Sequence, residues 1–111
     1  QIPSAEPFPS ASLLALIPAY NEAAHIGGVV REAGRHLPIL VIDDGSTDDT
    51  AAQARSAGAQ VLVQRPNQGK GAALLRGFSA ALEAGAEAVI TLDADGQHDP
   101  AEIPAFLQRW N

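Results

Sequence analysis

Asp93-Ala94-Asp95-Gly96-Gln97 is the stretch of this chain best equipped for chemistry. It sets two carboxylates one residue apart, with an amide close behind. Carboxylate and amide oxygens are the donors that hard divalent cations such as Mg²⁺ and Mn²⁺ prefer. Such an ion, in turn, holds and polarises a diphosphate. The stretch follows directly on Ala88-Val89-Ile90-Thr91-Leu92, an apolar run rich in β-branched residues that reads as a buried strand. The carboxylates therefore leave the carboxyl edge of a sheet, where open α/β sheets bind ligands. A lone Asp-x-Asp is more often a turn that caps the following helix, here expected near Asp99. Two further polar clusters reverse that balance.

Pro18-Ala19-Tyr20-Asn21-Glu22 ends the first apolar run, and by itself would be a strand-to-helix turn capped by Asn21. Asp43-Asp44-Gly45-Ser46-Thr47-Asp48 ends the second. Ser46 is expected to cap there, but two adjacent carboxylates ahead of a glycine exceed what a cap requires. Gly69-Lys70-Gly71 precedes a helix, so backbone N–H groups and an ammonium could face a phosphate. It is not a Walker A loop, lacking the earlier glycine and the following Ser or Thr. His25 and His36 fall on helical surface positions and read as solvated, and His98 merely adjoins the acidic motif.

The elements that position these groups alternate. Leu13 to Pro18 reads as a continuous apolar strand. Ile26, Val29, Val30, Ala33 and Leu37 follow helical spacing from about Glu22 to His36, and Pro38 stops the helix. Ile39 to Ile42 is a second strand. Ser46-Thr47-Asp48-Asp49 resembles a capping box opening an alanine-rich helix that stops at Gly58. Val61 to Val63 is a short third strand. Leu74, Leu75, Phe78, Ala81 and Leu82 are expected to form the buried stripe of the next helix, closed by Gly85 before the fourth strand. A last helix is announced by Asp99 and Pro100, with Pro104 awkward inside it. Apolar strands separated by helices imply a parallel sheet covered on both faces, hence an α/β, Rossmann-like unit.

With 111 residues there is room for one domain with a real core, but little for a complete two-substrate enzyme. The apolar fraction of 46% is globular, and the net charge of −6 argues against nucleic acid as a partner. There is no cysteine, so neither a disulfide framework nor a thiolate metal site is available. No apolar stretch reaches the ~20 residues that cross a bilayer. Residues 1–12, with Pro3, Pro7 and Pro9, read as a linker or extended arm, and 13–111 as the domain. Methionine is absent and the sequence stops inside a helical pattern, so a fragment of a longer protein is expected.

Four segments taken together carry a family resemblance: Leu-Ile-Pro-Ala-Tyr-Asn-Glu, Val-Ile-Asp-Asp-Gly-Ser-Thr-Asp, Asn-Gln-Gly-Lys-Gly-Ala-Ala-Leu-Leu-Arg-Gly-Phe and Leu-Asp-Ala-Asp-Gly-Gln-His-Asp-Pro. In order and spacing they closely resemble the family 2 glycosyltransferases, most of all the dolichyl- or polyprenyl-phosphate sugar transferase branch. The resemblance covers about Leu13 to Trp110. It implies the nucleotide-binding half of a glycosyltransferase A fold, with strand order 3-2-1-4. It also implies that Pro18, Ala19, Tyr20 and Glu22 belong to a nucleoside pocket, that Asp44 accepts hydrogen bonds from the base, and that Asp43 shapes the pocket. Lys70, in a structural or near-diphosphate role, and Ala94 join the nucleotide-binding set. Asp93, Asp95 and Gln97 match the metal positions, with Asp95 the surest ligand, Asp93 also placed on the sugar or ribose side, and the two as the catalytic pair.

The activity so implied is sugar transfer from a UDP- or GDP-linked donor, helped by Mg²⁺ or Mn²⁺, to an acceptor such as a polyprenyl phosphate. The location implied is cytoplasmic, with the whole protein at the cytoplasmic face of a membrane. Only the donor half is expected here, with little turnover of its own, and its exposed fourth strand invites self-association. A haloacid-dehalogenase-type phosphatase also uses Asp-x-Asp-Gly, but after its first strand. A receiver-like interaction module would need its acidic pair after the first strand and its phosphorylated Asp after the third.

Overall fold

β1 (Leu13–Ala19) is buried along its entire length, which places it at the centre of the sheet with both faces covered. In this computed structural model, which describes residues 13–95, it pairs in parallel with β2 (Ile39–Asp43) on one side and β4 (Ala88–Thr91) on the other. β3 (Gln60–Val63) adds to β2, giving the order β3-β2-β1-β4. That is the parallel α/β architecture and the strand order expected. Gln97, His98, the helix expected from Asp99 and the arm 1–12 lie outside the described residues.

Side chains alternate across the sheet, so β1 feeds two cores. Leu13, Ala15, Ile17 and Ala19 face α1 (Ala23–Ala33) and α2 (Thr50–Ser56), meeting Ile26, Val29, Val30 and Ala54. Leu14 and Leu16, with Leu40 and Ile42, face α3 (Lys70–Glu83).

The face that α3 buries differs from the expected stripe. Ala73, Gly77 and Ala81 lie against the sheet, with Leu74 half-buried, while Leu75 and Leu82 are 69% and 70% exposed and Phe78 37%. The reason is packing distance. A Cβ on Gly77 would stand 2.3 Å from Leu16 Cδ1, so the small-residue face of α3 sits directly on the leucine of β1. At 3.6 residues per turn, positions 75, 78 and 82 then point about 100–160° away from Gly77.

Two expected caps are also replaced. Ser46 does not cap α2, whose N-cap Asp49 makes no side-chain cap bond, and Asn21 does not cap α1, whose N-cap is Glu22. Instead the β1–α1 and β2–α2 connections cap each other. The Asn21 amide donates to Ser46 Oγ at 2.8 Å, and Asn21 Oδ1 accepts the Thr47 amide at 2.8 Å. The Glu22 amide donates to Thr50 Oγ1 at 2.9 Å and the Ala23 amide to Asp48 Oδ2 at 3.2 Å. Asn21 takes a φ of 52°, a left-handed conformation that asparagine tolerates better than most residues.

Candidate functional site

Because all strands are parallel, every strand-to-helix connection emerges at the same carboxyl edge. A cleft of about 260 Å³ opens there. β1 supplies Pro18 and Ala19, and Tyr20 and Glu22 follow just past its end. Asp44 comes from the end of β2, Lys70 and Ala73 from the start of α3, and Asp93, Ala94 and Asp95 from the exit of β4. Tyr20 keeps 48% of its surface exposed, leaving a ring face available beside the cleft.

Of the residues that the resemblance assigns to the site, the structure gathers all the described ones around this cleft except Asp43. That residue lies beneath it, 1% exposed, with Oδ1 accepting the Ser46 amide at 3.1 Å. Ala73 is a lining residue that the sequence reading missed. Its only signal was position, one helical turn after Lys70.

Asp44 is the most heavily engaged group. Its Oδ1 accepts the Gln64 Nε2 amide at 2.8 Å and the Gln68 backbone amide at 2.8 Å, and its Oδ2 accepts the Gly69 backbone amide at 2.8 Å. Its own carbonyl accepts Asn67 Nδ2 at 3.0 Å, and its amide donates to Ala19 O at 2.8 Å. The connection from β3 to α3 is therefore wound around one carboxylate. It crosses close over Gly45, where φ is 76° and a Cβ would lie 2.8 Å from the Asn67 amide, so only glycine fits. Burial acts to raise the Asp44 carboxyl, but donation from Gln64 and from the Gln68 and Gly69 amides outweighs it and holds the group below the ordinary carboxylate value.

Lys70 closes the other side of the cleft. Its ammonium stands 3.2 Å from Asp93 Oδ1, and its side chain is 65% exposed. Asp95 is exposed at the mouth. Among the described residues no three His, Cys, Asp or Glu side chains gather into a ready-made metal cage. The arrangement can thus offer a carboxylate acceptor, an aromatic face, an exposed cation and an acidic pair along one edge.

Fold and cleft define a parallel α/β domain whose polar strand ends gather at one edge, as in the glycosyltransferase A fold. The chain belongs to glycosyl transferase family 2, whose family model matches residues 15–111. It is 37% identical to the undecaprenyl-phosphate 4-deoxy-4-formamido-L-arabinose transferase of Pseudomonas aeruginosa (strain LESB58), over 94% of this chain and 34% of that protein. It is 37% identical to the polyprenol monophosphomannose synthase of Mycolicibacterium smegmatis, over 89% of this chain and 41% of that protein. Among solved structures, glucosyl-3-phosphoglycerate synthase from Mycobacterium tuberculosis, in complex with Mn²⁺, UDP and glucosyl-3-phosphoglycerate, superposes with a TM-score of 0.74 at 26% identity. That match covers 91% of this chain and 40% of the other, and the same synthase has been solved with Mg²⁺ and UDP. The chain spans between about a third and two fifths of the length of the two sequence relatives.

Proposed function

We propose that residues 13–111 form the donor-binding domain of a glycosyltransferase that takes its sugar from a UDP- or GDP-linked donor and delivers it to an acceptor of the polyprenyl phosphate class. The observation that carries this reading is the convergence of Tyr20, Asp44, Lys70, Asp93 and Asp95 on one cleft. Tyr20 packs against the base, which lies between Pro18, Ala19 and Glu22, and Asp44 accepts a base N–H. Asp43 supports this pocket from below through the Ser46 turn. Lys70 and Ala94 flank the diphosphate, and the Lys70 ammonium is free to exchange its contact with Asp93 for a phosphate oxygen.

A divalent cation fits the residues present. Asp93 already holds a cationic group, the Lys70 ammonium, and Asp95 adds a second hard oxygen donor one residue on. A two-carboxylate set suits Mg²⁺ or Mn²⁺, which complete their shells from substrate phosphates and water. Asp93 and Asp95 would hold the ion, with Gln97 as the third donor of the sequence motif. When bound, it offsets the negative charge that grows on the departing nucleoside diphosphate. The acceptor assignment is supported by the names of the sequence relatives. A phosphate acceptor is already an anion, so no protein base is required to activate it. A cytoplasmic domain, belonging to a protein that works at the cytoplasmic face of a membrane, is part of the same proposal; among the described residues no helix is long and apolar enough to cross a bilayer.

Titration calorimetry with UDP and GDP, run with Mn²⁺ and again with EDTA, tests the reading. Binding that is tighter with the metal is expected. Absence of nucleoside diphosphate binding under both conditions, or binding indifferent to metal, overturns it.

A further inference from the structure

Gln64 follows β3 directly, is only 4% exposed and does not line the cleft. A buried side-chain amide at a strand end is commonly no more than a satisfied polar group. Its partner here makes the difference, because its Nε2 donates at 2.8 Å to the one carboxylate proposed to meet the base.

An ionised carboxylate accepts about four hydrogen bonds, two on each oxygen. On Asp44, Oδ1 is filled by Gln64 Nε2 and the Gln68 amide, and Oδ2 carries the Gly69 amide. One acceptor lobe is left, on Oδ2. Facing an acceptor-only carboxylate, Gln64 can present only its NH₂ end, so this saturation is fixed by chemistry. The lowered carboxyl keeps Asp44 ionised throughout the neutral range, which preserves the count.

We infer that Gln64 is a specificity-determining positioning residue: by saturating Asp44 Oδ1 it leaves a single acceptor, which selects a base with one ring N–H, such as uracil, over guanine. The inference rests on the donor-site reading above. Uracil offers one ring N–H between two carbonyls. Guanine offers a ring N–H and an amino N–H side by side, a pair that a carboxylate takes with one lobe on each oxygen. Oδ1 has no lobe to give, so guanine would leave one donor without its partner inside the contact.

The test is a calorimetric comparison of UDP and GDP, in Mn²⁺, on the unaltered chain and on Gln64→Met, which keeps side-chain length and removes the donor. The unaltered chain is expected to prefer UDP by about tenfold, the worth of one well-placed hydrogen bond. In Gln64→Met the ratio is expected to fall toward one, because a lobe of Oδ1 is released. A merely structural role for Gln64 would weaken both ligands alike and leave the ratio unchanged, and that result overturns the inference. Equal or tighter GDP binding by the unaltered chain overturns it too, whether or not the variant folds, while leaving the donor-site reading intact. Failure to bind either nucleotide removes both.

Discussion

The Lys70 ammonium stands 3.2 Å from Asp93 Oδ1, so the first residue of α3 and the exit of β4 are joined across the cleft. The contact is exposed, and its worth as an ion pair is small. Its value lies in holding a cation beside the proposed diphosphate. Lys70→Ala is therefore expected to weaken UDP or GDP binding by about 1 kcal/mol while leaving the affinity for the bare nucleoside nearly unchanged. Calorimetry with uridine and UDP separates the two effects; equal losses for both would place Lys70 outside the diphosphate contact.

Asp44 and Asp48 sit in the same motif but serve different partners. Asp44→Ala should weaken nucleotide binding by about 1–3 kcal/mol, because a charged acceptor is lost. Asp48 instead accepts the Ala23 amide and both the amide and hydroxyl of Thr50. Asp48→Ala is expected to lower the melting temperature and leave nucleotide affinity nearly unaltered. Comparable losses of affinity from the two substitutions would mean that Asp44, too, is only structural.

At Gly77 the sheet leaves no room for a methyl group. Gly77→Ala is expected to destabilise the fold by about 1–3 kcal/mol, since Leu16 is fully buried and cannot swing clear. Adding Leu16→Val should recover part of that loss, a non-additivity that denaturant titration reads directly.

Acid should unfold the chain partly through Asp44. Its folded carboxyl is held below the ordinary value of 3.8, so its contribution is complete above that pH and disappears as the pH falls through the folded value. Chemical denaturation between pH 6 and pH 2 is expected to show Asp44→Asn losing less stability than the unaltered chain below about pH 4. Parallel curves would exclude Asp44 as a source of acid sensitivity.

Among the described residues β4 is an edge strand, and Leu75 and Leu82 of α3 are exposed. Unpaired edges and apolar surface favour association, so light scattering at ~100 µM is expected to report a species larger than the monomer. A clean monomer would remove self-association from the account.

The strands were legible because continuous apolar runs bounded by Pro, Gly and Asp admit few alternatives, and parallel pairing then brings all their polar ends to one edge. That is why the cleft gathers Tyr20, Asp44, Lys70, Asp93 and Asp95 as read from the sequence. The inward face of α3 was legible only at Ala81, because hydrophobicity points to Leu75 and Leu82 while close approach selects Ala73 and Gly77 beside it. The exchanged caps were hidden for another reason. Asn21 with Ser46, Ala23 with Asp48 and Asp44 with Gln64 are separated by 20 to 25 positions, beyond the reach of any local capping rule.

The winding of Gln64 to Gly69 around Asp44 makes that connection a unit of inheritance. It fixes the carboxylate at its start and delivers Lys70 at its end, so the proposed base choice and the proposed diphosphate grip move together. A chimera that exchanges the whole connection with that of a relative would import both properties at once. A junction placed between Gln68 and Gly69 would divide them, leaving one parent's acceptor beneath the other parent's cation.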